Sequence, residues 1–178
     1  AAAEAAAAAA RSGKEGVTTV DLTRRDVAHP STVTIAPFDV GKGTKVELLA
    51  TADEAARQAG AAISQVMARY ADSRRRIQIA NSDGLLTGDD QTRTLFSVSC
   101  VATGDAGMQT GRESIGHTIG FELFDRYDVA ELARRAAGRA LTKLNARPAP
   151  SGTVPVVIGK GGGGVLFHVA GEGETQLW

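Results

Sequence analysis

Apolar residues recur at helical spacing in two stretches of the chain. In Lys45–Gly60, apolar or small residues fall every three to four positions and predict a helix. Thr44 and Glu47 have the spacing of a capping box, in which each side chain accepts a hydrogen bond from a free backbone N–H of the first turn. In Val129–Leu144, a stripe of leucines and alanines predicts a second helix, with Asp128 as its N-cap. Each helix is expected to bury its apolar face against another layer.

Between these two helices the pattern changes to alternation. Three runs are rich in β-branched residues or alternate between apolar and polar positions, and they predict strands: Ile63–Ala71, Arg75–Asn81 and Thr92–Ala102. Asn81–Gly84 carries turn residues, and Gly116–Glu122 is expected to re-enter the sheet. The pattern indicates an α+β fold, with an antiparallel or mixed β-sheet and helices packed on one face.

The two ends of the chain have weaker patterns. Ala1–Ala10 predicts a short helix, because alanine loses no side-chain entropy in a helix. A long connection follows, in which Val17–Val20 and Thr32–Ile35 resemble strands. Near the other end, Val154–Ile158 predicts a buried strand, followed by a glycine loop and an apolar turn that ends at His168. This layout places the imidazole of His168 close to the end of a strand.

Composition narrows the classes of function. The 178 residues, 43% of them hydrophobic, suffice for one domain or one domain with an appendage. Twenty basic residues balance twenty acidic ones, so no overall field favours nucleic acid or an anionic membrane. Cys100 is the only cysteine, which excludes an internal disulfide and fits a reducing cytosol. No apolar run approaches the roughly 18 residues of a membrane span.

The first residues lack the basic and leucine-rich regions of a signal peptide. The sequence also begins without an initiator methionine. We therefore expect the chain to begin inside a longer gene product.

Two features suggest nucleotide or nucleic-acid binding, and neither is complete. Gly159–Gly164 fits the spacing G-x-G-x-x-G after a strand, but too few residues follow for the helix, strand and acidic residue of a dinucleotide fold. Arg74–Arg76 is a basic run at a predicted strand start, without aromatic side chains for base stacking. A tight turn and a solvated strand end are the simpler interpretations, so nucleic acid is not an expected partner.

Single residues leave alternatives open. His168, at the end of an apolar stretch, is either a structural residue or a ligand. His29 precedes Pro30 and is expected on a loop surface, whereas the flanking sequence assigns no role to His117. Cys100 lies inside a predicted strand and is expected to be a buried, unreactive side chain.

Several features occur in a distinctive order along the chain. They are Ser82–Gly84, the alternating run near Cys100, Gly120–Glu122, the helix Ala130–Ala146, the segment Pro148–Gly159 and the run Gly164–His168. In this combination the chain resembles the TldD/PmbA family of cytosolic bacterial and archaeal metallopeptidase-like proteins, once described as modulators of DNA gyrase. The resemblance covers roughly Lys45–His168, is strongest from Pro148 onward, and is closer to the TldD branch.

The resemblance implies a fragment of the family's N-terminal domain, divided into three segments. Residues 1–43 are the N-terminal helix and connecting segment, and 44–153 are the core of that domain. Residues 154–178 begin a domain junction, with a truncated metal motif and an atypical tail. The apolar residues Val165, Leu166 and Phe167 are expected to pack on a neighbouring chain or to be poorly ordered.

The resemblance also implies a zinc site, which this sequence does not complete. In the family, a His-Glu-x-x-x-His motif supplies two zinc ligands and a glutamate that activates water. His168 matches the first ligand, and Glu172 is a candidate oxygen ligand. However, Val169 stands at the glutamate position and Gly173 at the second histidine. We therefore expect no catalytic residue and no bound zinc in this chain.

Three functional hypotheses follow. The leading one is part of a TldD-like metal-dependent peptidase for unfolded or extended peptides, cytoplasmic and inactive as this fragment. Its partner would be a TldD/PmbA-type subunit in a homo- or hetero-oligomer. The alternative is a non-catalytic binding or scaffold subunit of such an assembly. The third, nucleotide or nucleic-acid binding, is opposed by the neutral net charge.

Overall fold

The computed structural model describes residues 2–11, 20–27, 32–105, 107–148, 151–153, 155 and 157. In chain order the elements are α1 (Ala2–Arg11), β1 (Thr23–Arg24), α2 (Lys42–Gln58), β2 (Ile63–Ala80), β3 (Leu85–Gly104), β4 (Gly107–His117), α3 (Leu123–Arg126) and α4 (Val129–Leu144). The chain divides into two units, 1–146 and 147–178. In the second unit, the described residues lie outside helices and strands.

The sheet is built around β3. On one side β3 pairs antiparallel with β2, from Ile63↔Ala102 to Ala80↔Leu86. On the other side it pairs antiparallel with β4 and, near its start, parallel with the short strand β1. The sheet is therefore mixed, with helices packed against it, which confirms the predicted α+β class.

The core lies between one face of this sheet and the helices α2 and α4. Alternate residues of β3 point into it and are almost fully buried: Thr92, Thr94, Phe96, Val98, Cys100 and Ala102. The helices contribute mostly alanines: Ala52, Ala56, Ala133, Ala136, Ala137 and Ala140. Because alanine is short, the helix backbones lie close to the sheet.

Gly111 on β4 is the point of closest approach. A Cβ atom at this position would overlap the carbonyl oxygen of Ala136 and lie 2.6 Å from the backbone nitrogen of Ala140, both on α4. These are backbone atoms, which cannot turn aside as a side chain can. The glycine is therefore required by the packing of α4 on β4.

The long helices differ in how well the sequence predicted their starts. Asp128 is the N-cap of α4, and its carboxylate accepts a 2.8 Å hydrogen bond from the N–H of Ala130, as predicted. The capping box at Thr44 is wrong. The helix α2 begins a turn earlier, with Gly41 as its N-cap, and the Gly41 carbonyl already accepts from the N–H of Lys45.

The strands differ more from expectation. Ile63–Ala71 and Arg75–Asn81, predicted as separate strands, belong to the single strand β2, which ends at Ala80. The glycine-rich stretch before Gly116 forms the strand β4, which the pattern did not predict. Of Gly116–Glu122, only Gly116 and His117 lie in the sheet, as the end of β4, and a turn leads from there into α3.

Expectations for the chain ends have mixed outcomes. The alanine-rich helix is present as α1. Thr32–Ile35 is not a strand, and of Val17–Val20 only Val20 is described, outside any strand. Val154–Ile158 lies largely outside the described residues; the two that are described, Pro155 and Val157, are not in a strand. The segment Val165–Phe167 lies outside the described residues.

A buried carboxylate holds the connecting segment to the rest of the fold. Glu122 accepts hydrogen bonds from the N–H groups of Thr34 (3.1 Å), Ile35 (2.9 Å) and Gly120 (2.9 Å). Burial acts to raise the pKa of Glu122, but the backbone N–H groups around the carboxylate outweigh it, so the pKa lies below its ordinary value. The bonded form of this side chain is therefore the ionised one.

Glu122→Gln is expected to lower the free energy of unfolding near neutral pH by about 1–3 kcal/mol, because the amide places N–H donors where the carboxylate accepts. The wild-type chain should lose its extra free energy of unfolding over the variant as Glu122 becomes protonated. This loss begins below about pH 4.3, the ordinary pKa of glutamate, and continues as the pH falls through the lower pKa of the folded state. Urea unfolding in steps toward about pH 3 measures the difference. The exposed Glu47→Gln is the control, and a Glu122 difference independent of pH would contradict the assignment.

Gly111→Ala is expected to destabilise the chain by about 2 kcal/mol or more, because the new methyl group meets the backbone of α4. The matched change is Gly138→Ala on α4, where a Cβ atom would meet nothing within 4 Å. That change should stabilise the chain by about 0.5–1 kcal/mol, as alanine favours helix over glycine. Thermal and urea unfolding compare the two, and equal effects would contradict the close approach.

Candidate functional site

The residues predicted to bind metal, His168 and Glu172, lie outside the described residues. Within the part of the chain that the structure describes, no group of three or more histidine, cysteine, aspartate or glutamate side chains could hold a metal ion. The described residues therefore do not form a metal centre. None of the described helices has the length and hydropathy needed to span a membrane.

The histidine that is described has a structural partner. The Nε2 atom of His117 lies 3.1 Å from the hydroxyl of Tyr127, and the two rings stack with centroids 5.6 Å apart. This contact joins the end of β4 to the residue before the N-cap of α4. His29, predicted on a loop surface, lies outside the described residues.

Cys100 is buried on β3, as predicted. Burial, and then the carboxylate of Asp53, raise the pKa of its thiol, and the charge of Arg57 only partly opposes them. A thiol with a raised pKa is a poor nucleophile at neutral pH. The arrangement supports a packing role for this cysteine.

The basic run Arg74–Arg76 lies within β2 rather than at a strand start. The Nε atom of Arg74 donates to Asp90 at 2.8 Å, and Arg76 lies 3.4 Å from the same carboxylate. Arg75 points to the opposite face of the sheet, since adjacent strand residues alternate. The run is therefore divided between an ion-pair cluster and an exposed face.

The outer edge of β2 is the longest unpaired strand edge among the described residues. The strand has 18 residues, or about 60 Å of extended chain, and among the described residues it pairs only with β3. Such an edge can accept another strand through its backbone.

The register shows which backbone groups of β2 point outward. The N–H of Asn81 donates to the carbonyl of Leu85 in the hairpin, and the pairing is regular from Gln65 to Ala80. Hydrogen bonding to β3 alternates along an antiparallel pair, so the backbone N–H and C=O groups of odd-numbered β2 residues point toward β3. The residues whose backbone N–H and C=O groups point away from β3 are Val66, Ala68, Tyr70, Asp72, Arg74, Arg76, Gln78 and Ala80.

A cluster of charged and aromatic side chains adjoins this edge. The Nζ atom of Lys45, on α2, lies 2.9 Å from the Asp72 carboxylate and 4.9 Å from the centre of the Tyr70 ring. The Tyr70 ring also lies about 6 Å from Phe121 (6.0 Å) and Phe124 (5.9 Å). The helix α2 is thereby joined to the middle of β2.

The Tyr70 hydroxyl is buried and has no hydrogen-bond partner among the described residues. Burial, and then the carboxylate of Asp72, raise the pKa of Tyr70 well above its ordinary value. The hydroxyl therefore stays protonated, next to the Asp72 carboxylate and shielded from solvent. Sequence reasoning missed this cluster, because nothing local links Lys45 to residues 25 or more positions away.

Residues 35–144 match the family model described as the PmbA/TldA metallopeptidase central domain. The resemblance in the sequence implied the family's N-terminal domain, whereas this model describes the central one. The matched range contains every element from α2 to α4.

Curated relatives have similar sequences over most of the chain. A protein named metalloprotease, from Methanothermobacter thermautotrophicus, is 34% identical over 155 residues, which is 87% of this chain and 32% of the relative. A protein named metalloprotease TldD homolog, from Haemophilus influenzae, is 30% identical over 136 residues, or 72% of this chain and 28% of the relative. The chain therefore spans about a third of the length of these relatives.

A solved structure has the same fold. It is a crystal structure of a Thermotoga maritima protein described as a proposed modulator of a DNA gyrase, with a TM-score of 0.62 and 18% identity. The match covers 76% of this chain and 30% of that one. At this identity the likeness supports the fold.

Tyr70→Phe is expected to leave the free energy of unfolding unchanged or to raise it by up to about 1 kcal/mol, because the lost hydroxyl is buried without a partner. Tyr127→Phe is the matched change, since its hydroxyl meets His117, and it should cost about 0.5–1.5 kcal/mol. Urea unfolding measures both. A larger loss for Tyr70→Phe than for Tyr127→Phe would contradict the orphaned hydroxyl.

Proposed function

Because the chain belongs to the PmbA/TldA metallopeptidase family, we propose that it is part of a TldD-like metal-dependent peptidase that acts on unfolded or extended peptides. The observation that carries the proposal is the family match over residues 35–144. Relatives named metalloproteases support it. The substrate class rests on the resemblance and on the open strand edge.

In this proposal the domain holds an extended peptide along the outer edge of β2. Strand addition uses backbone hydrogen bonds, so it accepts many sequences, as a peptidase for unfolded substrates requires. The outward groups of alternate residues from Val66 to Ala80 supply the donors and acceptors.

The chemistry of hydrolysis lies elsewhere in this proposal. Zinc is the metal that the resemblance implies, and when bound it would supply an activated water. No group of three or more ligand side chains among the described residues could hold a metal, and in the sequence His168 is followed by Val169 where a proton-transferring glutamate would stand. We therefore propose that the chain by itself does not hydrolyse peptides.

A homo- or hetero-oligomer with a TldD/PmbA-type subunit completes the proposal. The alternative is a non-catalytic binding or scaffold subunit, which the residues Val169 and Gly173 at the motif positions favour. Both versions place peptide on the same edge of β2. A cytosolic compartment is also proposed, since the single buried Cys100 suits reducing conditions.

The unmodified chain is expected to contain no stoichiometric zinc and to leave an unfolded casein-derived peptide uncleaved, because a single histidine is a weak zinc site. The double variant Val169→Glu with Gly173→His restores the motif and should bind zinc more tightly. Elemental analysis and chromatography of the peptide measure both. The full-length Methanothermobacter relative is the positive control, and chelator-sensitive cleavage by the unmodified chain would contradict the proposal.

Gln78→Pro is expected to weaken binding of an unfolded labelled peptide, because proline removes an N–H that points away from β3. The matched change is Gln78→Ala, which keeps this N–H. Fluorescence anisotropy measures peptide affinity, and urea unfolding checks that both variants remain folded. Equal affinity of the two folded variants would contradict strand addition at this edge.

A further inference from the structure

The face of the sheet opposite the helices is bare in the described structure. The helices pack over the even-numbered residues of β3, whereas the odd-numbered residues face away from them. Four large apolar side chains on this second face are exposed: Met67 by 52%, Ile79 by 51%, Leu95 by 50% and Met108 by 71%. Burying such groups would be favourable, so this face is a candidate interface.

The same face carries four arginines without partners. They are Arg69, Arg75, Arg93 and Arg112, which we call the arginine face together with Met67, Ile79, Leu95 and Met108. In the described residues no carboxylate pairs with any of these four. By contrast, Arg74 and Arg76, on the other face of β2, share Asp90. One carboxylate, Asp89 opposite Ile77, also lies on this face, so four arginines against one aspartate leave the face net positive.

Strand register builds a cleft in the arginine face. Arg69 lies opposite Ser97, which lies opposite Ser114, so two hydroxyls form a floor beside the guanidinium of Arg69. Arg112 lines the other side, and the cleft volume is about 420 Å³. A guanidinium group can donate two parallel hydrogen bonds to a carboxylate, and the serine hydroxyls can donate further ones.

Gly116 also lines the cleft. A Cβ atom there would overlap the Cδ2 atom of Leu95, which leans over the glycine from the neighbouring strand. This contact directs the Leu95 side chain along the edge of the cleft. The apolar side chain of Leu95 therefore lies in the same cleft as the charged side chains of Arg69 and Arg112.

We propose that the arginine face docks an acidic amphipathic helix of a partner protein. Charge complementarity requires carboxylates, and the exposed methionines and Leu95 require apolar groups between them. Three strands are about 10 Å across from first to third, which matches the width of one helix. The opposite face of this sheet already packs against two helices, α2 and α4.

Other occupants fit the arginine face less well. Two copies of it would oppose arginine with arginine, which is repulsive. Nucleic acid would leave Met67 and Met108 uncovered, and the arginine face has no aromatic side chain on which bases could stack. The proposal concerns a different surface from the β2 edge and does not depend on peptidase activity.

The experiment uses the whole 178-residue chain and a labelled synthetic amphipathic helix with a leucine stripe flanked by glutamates. A second peptide with lysine in place of every glutamate is the matched probe. The glutamate peptide should bind, and the double variant Arg69→Gln with Arg112→Gln should weaken its binding by about tenfold or more. Arg126→Gln, an exposed and unpaired arginine on α3, should leave binding unchanged. Binding should also weaken with added salt.

Several results would overturn the proposal. They are no measurable binding of the glutamate peptide, equal binding of the lysine peptide, or equal affinity in the double variant. Binding of oligo-dT that is lost in the double variant would assign the arginine face to nucleic acid instead. Self-association lost in that variant, measured by sedimentation, would assign it to a second copy. Circular dichroism establishes that the variant is folded.

Discussion

The packing of α4 on β4 depends on the absence of a side chain at Gly111. Backbone atoms of Ala136 and Ala140 occupy the space that a Cβ atom would need. The alanines along α4 extend this close contact across to β3, so the helix lies against the sheet over its length. Because the buried helix residues are mostly alanines, the dispersion energy of this core comes from close contact between the helix and strand backbones rather than from large side chains.

This close packing gives the sheet two different faces. One face is covered by α2 and α4 and contains the ion pair of Lys45 with Asp72. The other face carries arginines and exposed methionines, and it is the face that we propose to dock a partner helix. The long strand β2 belongs to both faces and also provides a free edge. Peptide capture and partner docking would therefore use different groups of one strand, backbone for the first and side chains for the second.

Local patterns predicted the helices better than the sheet. The stripe in α4 and its cap at Asp128 depend on residues a few positions apart, and both were predicted correctly. The strand β2 was divided in two, because the consecutive polar residues 72–74 interrupt its pattern. In the fold that polar stretch pairs with Lys45 and Asp90. Such partners are distant in sequence, so the alternation alone could not include them.

The glycines of β4 misled the prediction for a related reason. Gly111 and Gly116 are typical of a loop, but here both lie in a strand: the backbone of α4 requires Gly111, and the Leu95 side chain packs over Gly116. The candidate sites were hidden in the same way. An open strand edge and an unpaired set of arginines become visible only when the register is known. The predicted ligand His168 could be proposed from sequence because a motif is local.

The carboxylate of Glu122 also constrains how the chain reaches its native state. It bonds to residues 87 and 88 positions earlier, across the whole of α2 and the sheet. Contacts of such separation close a large loop and form slowly compared with a hairpin. The hairpin of β2 and β3 can form from neighbouring residues, whereas the attachment of Thr34 and Ile35 must wait until the turn after β4 exists. Synthesis from the N-terminus therefore leaves this segment unattached until residue 122 has emerged from the ribosome.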